Sequence, residues 1–199
     1  MSASKVRLWA VLAACALSLA PGAVSQRTEQ EAIDVLKGLV PIGMRSIPSE
    51  HMAPNLLVGD RVAVVAIDRD LRRGDVVVYR HPNNEGVVMI TRIVGLPGDT
   101  VQMKGGQLIL NGEAVSRKLV REVTYVPDDM PRIVRAFEYE ERLPGAEKPL
   151  TIFEYGDSDS LDETPEFRVP AGHLFMMGDN RDNSEDSRAP SGHRAMVAA

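Results

Sequence analysis

Cysteine is almost absent from this chain of 199 residues, which contains only Cys15. A single cysteine cannot form an intramolecular disulfide, so the fold must be held together by other means. The four histidines include no tight pair at the spacing of metal ligands, and the sequence therefore gives no support to a zinc site. We predict neither a metal nor a cofactor.

A strong excess of either charge is also lacking. The formal net charge is −5, and acidic and basic residues are mixed along the chain. This distribution argues against a nucleic-acid-binding protein, which usually carries a basic patch. The chain has no internal repeat and no low-complexity tract. With 44% hydrophobic residues, it can bury one good core and a small additional lobe.

The N-terminus has the layout of a targeting segment. Lys5 and Arg7 precede an uncharged apolar run over residues 8–20, which Pro21-Gly22 ends. The small residues 23–25 then form a cleavage pattern, as in a secretory signal peptide. The run is shorter than the ~20 apolar residues of a spanning helix. Inclusion of the next small residues gives a marginal span, so an uncleaved anchor is the alternative.

Both alternatives place the rest of the chain outside the cytoplasm. We predict an exported protein at the periplasmic face of the inner membrane, either anchored there or released to the periplasm. Residues 12–15 also resemble a lipoprotein cleavage box, but apolar sequence continues well past Cys15. Residues 26–40 follow as a connector, in which Ile33, Leu36 and Val40 fit one face of an amphipathic helix.

From residue 41 onward the pattern is typical of β structure. Short β-branched runs are separated by Gly-Asp, Gly-Gly and Asn-Gly pairs, which favour turns. No alternation of strands and helices appears. The predicted strands in this part lie at 61–67, 76–79, 87–94, 100–103, 107–110 and 173–177. Strands this short and closely spaced predict a coiled antiparallel sheet or partial barrel.

Residues 113–168 differ in being richer in charge and proline. Strand-like stretches recur in them at 122–126, 133–140 and 150–155, so we interpret this segment as a smaller inserted β lobe. The segment 156–163 is rich in aspartate, but it lacks the turn glycine and the spaced terminal glutamate of an EF-hand loop. We therefore interpret it as a solvated loop. The predicted organisation is a targeting segment at 1–25, a connector helix at 26–40, a mostly β core at 41–112 and 169–199, and a lobe at 113–168.

Four blocks of the β region carry the most specific pattern. They lie at residues 45–60, 74–78, 91–99 and 178–188. In their order and spacing they resemble the type I signal peptidases, serine proteases that remove signal peptides from exported proteins. The resemblance covers most of residues 45–188, and the last block is its most specific part. It implies a mostly β fold of signal peptidase type, preceded by an apolar N-terminal helix.

The resemblance also implies where the catalytic residues would be. The family uses a serine nucleophile and a lysine base, and a lysine accepts protons near neutral pH only when burial depresses its pKa. The nucleophile position holds His51, and the base position holds Thr91. A threonine hydroxyl cannot accept and hold a proton at neutral pH. Both residues of the family's Ser–Lys pair are therefore replaced in this sequence.

The residues that support this pair in the family are retained. The resemblance implies that Ser49 contributes to the oxyanion hole and that Ser184 would have hydrogen-bonded the lysine. It further implies two ion pairs that shape the site, Asp186 with Arg188 and Asp179 with Arg92. Their retention beside a lost Ser–Lys pair favours a structural role, since breaking a buried ion pair costs roughly 3–5 kcal/mol.

Three functions are compatible with this pattern. The first is a catalytically inactive signal peptidase-like protein that binds exported preproteins or other extended peptides by strand addition at the inner membrane surface. The second is an active signal peptidase with rearranged groups, in which His51 pairs with Ser49 or Ser184. In an extended segment Ser49 and His51 share a face, because they are two positions apart and only Glu50 lies between them. The third is a structural accessory protein that binds no peptide.

Overall fold

The computed structural model describes residues 9–12, 41–65, 69–81, 84–128, 131–156, 161–189 and 197–198. Within these ranges the chain forms fourteen strands and two short 3₁₀ helices, Glu50–Met52 and Arg181–Asn183. The strands are β1 Trp9–Leu12, β2 Pro41–Ser46, β3 Arg61–Val65, β4 Val76–His81, β5 Asn84–Gly95, β6 Thr100–Lys104, β7 Gln107–Leu110, β8 Glu113–Ala114, β9 Ser116–Tyr125, β10 Val134–Arg142, β11 Leu150–Glu154, β12 Phe167–Arg168, β13 His173–Met177 and β14 Val197–Ala198.

The strands form three open sheets. The largest has seven strands in the order β14-β13-β5-β4-β1-β3-β2, and the others are β11-β10-β9 and β12-β6-β7-β8. Neighbouring strands in these sheets run antiparallel. The predicted mostly β, antiparallel fold is therefore confirmed, and none of the three sheets closes into a barrel.

The sequence pattern explains how the core is built. Val101 and Met103 in β6 and Leu108 and Leu110 in β7 are buried, while the residues between them are partly exposed, as expected for strands with one face on the core. These side chains pack with residues from both parts of the sequence in one cluster, namely Val94, Val115, Leu143, Leu150, Ile152, Val169, Phe175 and Met177. Residues 113–168 thus share this core, although β9 to β11 form a sheet of their own. The division of the chain into a core and a lobe at residues 113–168 remains a prediction.

The N-terminal prediction falls mostly on residues outside the described ranges. Within it, Trp9–Leu12 forms β1, an extended strand that pairs with β3 through Ala10 and Val65 and with β4 through Ala10 and Val77. The remainder of segment 1–25 and the connector 26–40 lie outside the described residues. The described ranges contain no helix with the length and hydropathy needed to cross a membrane. Cleavage or anchoring of the segment remains a prediction.

Strand β5 leaves part of one edge unpaired. Ile93 faces β4, because its N–H donates to the Asp75 carbonyl at 2.9 Å and its carbonyl accepts from the Gly74 N–H at 2.8 Å. Backbone polar groups alternate sides along an antiparallel strand, so those of Val88 and Ile90 face away from β4. On that side β13 pairs with β5 only at residues 92–95, and no other described strand continues the pairing. We call residues 88–90 the open β5 edge.

Candidate active site

A tight turn carries Ser49 and His51 to the open β5 edge. Ser49 has extended backbone and precedes the 3₁₀ helix Glu50–Met52, and buried Met52 anchors the turn in the core. The carbonyl of His51 accepts a hydrogen bond from the Asn180 N–H at 3.1 Å. A Cβ atom at Gly178 would collide with the Ser184 side chain and with this carbonyl, so the close approach of the two segments requires glycine.

His51 bridges the turn and β5. Its Nε2 lies 2.7 Å from the Ile90 carbonyl oxygen, and its Nδ1 lies 2.7 Å from Ser49 Oγ. A carbonyl oxygen only accepts, so Nε2 carries the proton, and in the neutral ring Nδ1 accepts from the Ser49 hydroxyl. Both side chains are half-buried. Of the two serine partners considered for His51 from the sequence, the structure brings Ser49 into contact.

Thr91 lies in the core and not at the surface of the site. Its side chain is fully buried, and its hydroxyl is 3.4 Å from the Tyr79 hydroxyl, a weak hydrogen bond. Burial raises the pKa of Tyr79 to about 12, so this neighbour stays neutral at physiological pH. The Thr91 side chain is therefore paired with another neutral hydroxyl and not with a base.

Ser184, which the resemblance implied as a supporting residue, has an unusual environment. The residue is buried, and its hydroxyl oxygen has no hydrogen-bond partner among the described residues. A buried hydroxyl without a partner destabilises the fold, because it loses its bonds to water and gains none in return. The resemblance gave Ser184 the lysine as its partner. The unpartnered hydroxyl is consistent with that implication, which remains a prediction.

Replacement of Ser184 by alanine is expected to leave stability unchanged or to raise it by up to about 1 kcal/mol. The matched control is Ser187→Ala, since the buried Ser187 hydroxyl accepts from the Met176 N–H at 3.0 Å. This control is expected to lose about 1–3 kcal/mol, because the amide is left unpaired. Urea unfolding of both variants provides the comparison. An equal loss in both variants would show that Ser184 has an important partner.

One of the two expected ion pairs joins β5 to the segment after β13. Arg92 donates to Asp179 through Nε at 2.7 Å and through a terminal nitrogen at 2.6 Å, a two-pronged geometry that is strong for a guanidinium and a carboxylate. Burial opposes the charge on Arg92, but Asp179 outweighs this effect and raises the pKa of Arg92. Asp179 also accepts from the Asn55 amide at 2.8 Å, which ties the pair to the 49–56 turn.

The other ion pair closes the loop that contains Ser184. The side chains of Asp186 and Arg188 are both fully buried and lie 2.8 Å apart. Asp186 also accepts from the Gly178 N–H at 3.0 Å and from Arg188 Nε at 2.9 Å. Burial alone would raise the pKa of Asp186, but Arg188 outweighs it and holds this pKa below its usual value. Both supporting pairs that the resemblance implied are present, while their role in a working site remains a prediction.

Some members of the site could not be identified from the sequence. Buried Arg181 forms an ion pair with Glu141, a residue of β10 that no motif singled out. The Asn180 side chain donates to the Tyr155 hydroxyl at 2.7 Å and to the Glu50 carbonyl at 3.2 Å. Arg181 and Asn180 belong to the block 178–188, so the sequence motif could predict that they lie in the site. Their partners are distant in sequence, and no motif could predict them.

Taken together, the described residues form a β scaffold in which a serine-bearing turn meets one edge of a sheet. Residues 33–197 match the family model described as "Signal peptidase, peptidase S26". The chain therefore belongs to the signal peptidase family. That His51 and Thr91 occupy the two positions of the family's Ser–Lys pair remains a prediction from the resemblance.

Curated relatives agree with this assignment. The chain is 40% identical to Signal peptidase I of Pseudomonas aeruginosa over 157 residues, which are 71% of this chain and 52% of the relative. It is 39% identical over 158 residues to Signal peptidase I of Pseudomonas fluorescens, with the same shares covered. For Signal peptidase I of Rickettsia prowazekii the identity is 37% over 124 residues, covering 60% and 45% of the two chains. The chain spans about half the length of these relatives.

Proposed function

We propose that this protein is a signal peptidase-like binding protein that holds extended segments of exported polypeptides without cleaving signal peptides. The observation that carries the proposal is the fully buried Thr91 hydroxyl at the base position. A neutral hydroxyl in the core cannot take the proton of a nucleophile, and the nucleophile position itself holds an imidazole. The unpartnered Ser184 hydroxyl supports the same conclusion.

Peptide binding is supported by the open β5 edge. An extended peptide binds such an edge as an added strand, with main-chain hydrogen bonds for affinity and pockets for alternate side chains. The polar backbone groups of Val88 face this edge, and the Val88 side chain is 42% exposed. Next to it, His51 already donates to the Ile90 carbonyl. A bound peptide would therefore lie beside the Ser49–His51 turn.

The proposed substrates and location follow from the family and the N-terminal segment. The relatives are named Signal peptidase I, which makes exported preproteins the first class of ligand to consider. The predicted targeting segment at residues 1–25 would place the β region at the periplasmic face of the inner membrane. There the protein would bind or escort polypeptides as they leave the membrane. A structural accessory protein without peptide affinity is the alternative that the binding experiment separates.

Binding is tested with a fluorescent peptide that carries small residues one and three positions before a signal-peptide cleavage point. Fluorescence anisotropy with the full chain in detergent is expected to show saturable binding. Val88→Pro removes an N–H from the open β5 edge, so we expect at least ten-fold weaker binding. Val120→Pro is the matched control, because Val120 is an exposed residue at the irregularity of β9 and has no paired partner there.

The outcomes separate the proposed functions. Weaker binding in Val88→Pro, with unchanged binding in Val120→Pro, supports strand addition at the open β5 edge. Equal affinity of Val88→Pro and Val120→Pro for the peptide would show that the peptide binds at a surface other than the open β5 edge. Absence of binding by the unmodified chain would reject the peptide-binding function and favour a structural accessory protein.

A further inference from the structure

We propose that Ser49 is a nucleophile activated by His51, and that the pair accepts acyl groups from activated carboxylic esters. This chemistry differs from the family's Ser–Lys mechanism. His51, at the position of the family's nucleophile, acts here as the base, and Thr91 takes no part. It also does not depend on peptide binding. Its three components are a serine hydroxyl, an imidazole base and a backbone carbonyl that orients the base.

The hydrogen bonds fix the direction of proton transfer. The Ile90 carbonyl lies 2.7 Å from Nε2 and can only accept, so the Nε2 proton is committed to it. The lone pair of Nδ1 then points to Ser49 Oγ at 2.7 Å. A nucleophile within hydrogen-bond reach of a base, with the base held by a third group, is the arrangement that activates serine in hydrolases.

The backbone around Ser49 gives a second, independent argument. Ser49 occupies the N-cap position of the helix Glu50–Met52, where a serine side chain commonly accepts from a backbone N–H of the first turn. Here the side chain makes no capping hydrogen bond, although its backbone has the extended conformation of an N-cap, with φ −151° and ψ 166°. The hydroxyl is turned to His51 instead. A purely structural serine at this position would be expected to cap.

The proposed reaction balances without any additional reagent. Ser49 Oγ attacks the carbonyl carbon of the ester, and its proton passes to His51 Nδ1. The bond between that carbon and the leaving oxygen breaks, and the leaving alcohol takes the proton from Nδ1. This step leaves an ester between the acyl group and Ser49. Water then attacks with His51 as base, which releases the carboxylic acid and restores the Ser49 hydroxyl.

The same geometry explains why esters, and not the peptide bonds of signal peptides, are the proposed substrates. In the family resemblance Ser49 donates to the oxyanion. When Ser49 is the nucleophile, that donor is absent, and one such donor is worth roughly 10²–10³ in rate. An ester with a good leaving group tolerates this loss. An amide has a poor leaving group and needs the full set of donors.

The experiment uses p-nitrophenyl acetate with the full chain, followed by mass spectrometry of the quenched protein. We expect a burst of about one p-nitrophenolate per chain and an acetyl group on Ser49. Ser49→Ala should abolish the burst, and His51→Gln should slow it at least ten-fold, because the amide cannot act as a base. Ser46→Ala, an exposed serine of the preceding strand, is the control and should react as the unmodified chain does.

Circular dichroism melting of each variant confirms that it is folded before it is compared. Absence of a burst in the unmodified chain would overturn the proposal. So would acetylation of His51 or of another serine, or an unchanged rate in His51→Gln. The peptide-binding assay is run on the same variants. Saturable peptide binding without a burst would reject only the acyl-transfer proposal, and a burst on Ser49 without peptide binding would reject only the proposed function, so either proposal can fail alone.

Discussion

The double variant His51→Ser, Thr91→Lys is expected to cleave signal-peptide substrates at least about a thousand-fold faster than the unmodified chain, because the loss of an activated nucleophile is among the largest single effects in enzyme kinetics. Position 51 lies beside the β5 backbone at Ile90. A lysine at position 91 would start from a fully buried site, where its pKa falls. The resemblance implies Ser184 as the partner of that lysine, and the Ser184 hydroxyl has no partner among the described residues.

Each single variant serves as a control for the double variant. His51→Ser supplies a hydroxyl without a base, and Thr91→Lys supplies a base without the nucleophile, so neither should cleave. The assay is the appearance of the mature N-terminus in a purified preprotein, measured by mass spectrometry in detergent and lipid. A double variant that is folded but silent would mean that the frame has lost the geometry of a peptidase. The proposed peptide site would then lose its main structural support.

Asp186→Ala is expected to destabilise the protein by about 3–5 kcal/mol, the largest expected effect on stability. The change leaves the fully buried guanidinium of Arg188 without its carboxylate, and it leaves the Gly178 N–H without an acceptor. Both consequences leave buried polar groups unpaired, which is far more costly than the loss of an exposed pair. Urea unfolding monitored by circular dichroism gives the free energy of unfolding.

The matched control is Glu122→Ala, which breaks the ion pair between Glu122 and Arg135. These side chains are 45% and 63% exposed, and their nitrogen–oxygen distance is as short as that of a buried pair, at 2.5 Å. Exposed pairs contribute little because solvent screens them, so this variant should lose far less stability than Asp186→Ala. A loss of the same size in both variants would contradict the view that burial makes the Asp186–Arg188 pair essential to the fold.

Much of the β structure could be predicted because its turns and its hydrophobic alternation are local. The predicted strands at 107–110 and 173–177 agree with β7 and β13 to the residue. Strand β9 begins at Ser116, well before the predicted 122–126. The prediction missed its first half because those charged, exposed residues lack the alternation of a half-buried strand. Strand β1 was not predicted either, because its apolar residues were interpreted as part of a helical targeting segment.

The site could be predicted where it depends on short spacing or on a motif. The Ser49–His51 contact was predicted from two side chains on one face of an extended segment. The contact is present, but His51 lies in the 3₁₀ helix Glu50–Met52, so a tight turn and not strand alternation brings the two side chains together. The two ion pairs follow from the family blocks. The Ile90 carbonyl could not be predicted, because a backbone group carries no sequence signal and its position depends on the register of β5. The unpartnered state of the Ser184 hydroxyl likewise depends on tertiary packing, since the fold buries Ser184 beside Gly178 without a hydrogen-bond partner.

The most direct test of the central claim is incubation of the unmodified chain with a purified signal-peptide-bearing preprotein in detergent and lipid, with all products identified by mass spectrometry. The expected result is an intact preprotein under conditions in which the double variant His51→Ser, Thr91→Lys removes the signal peptide. Cleavage at the signal-peptide junction by the unmodified chain, abolished by His51→Ala, would contradict the account. It would establish a rearranged signal peptidase that uses His51.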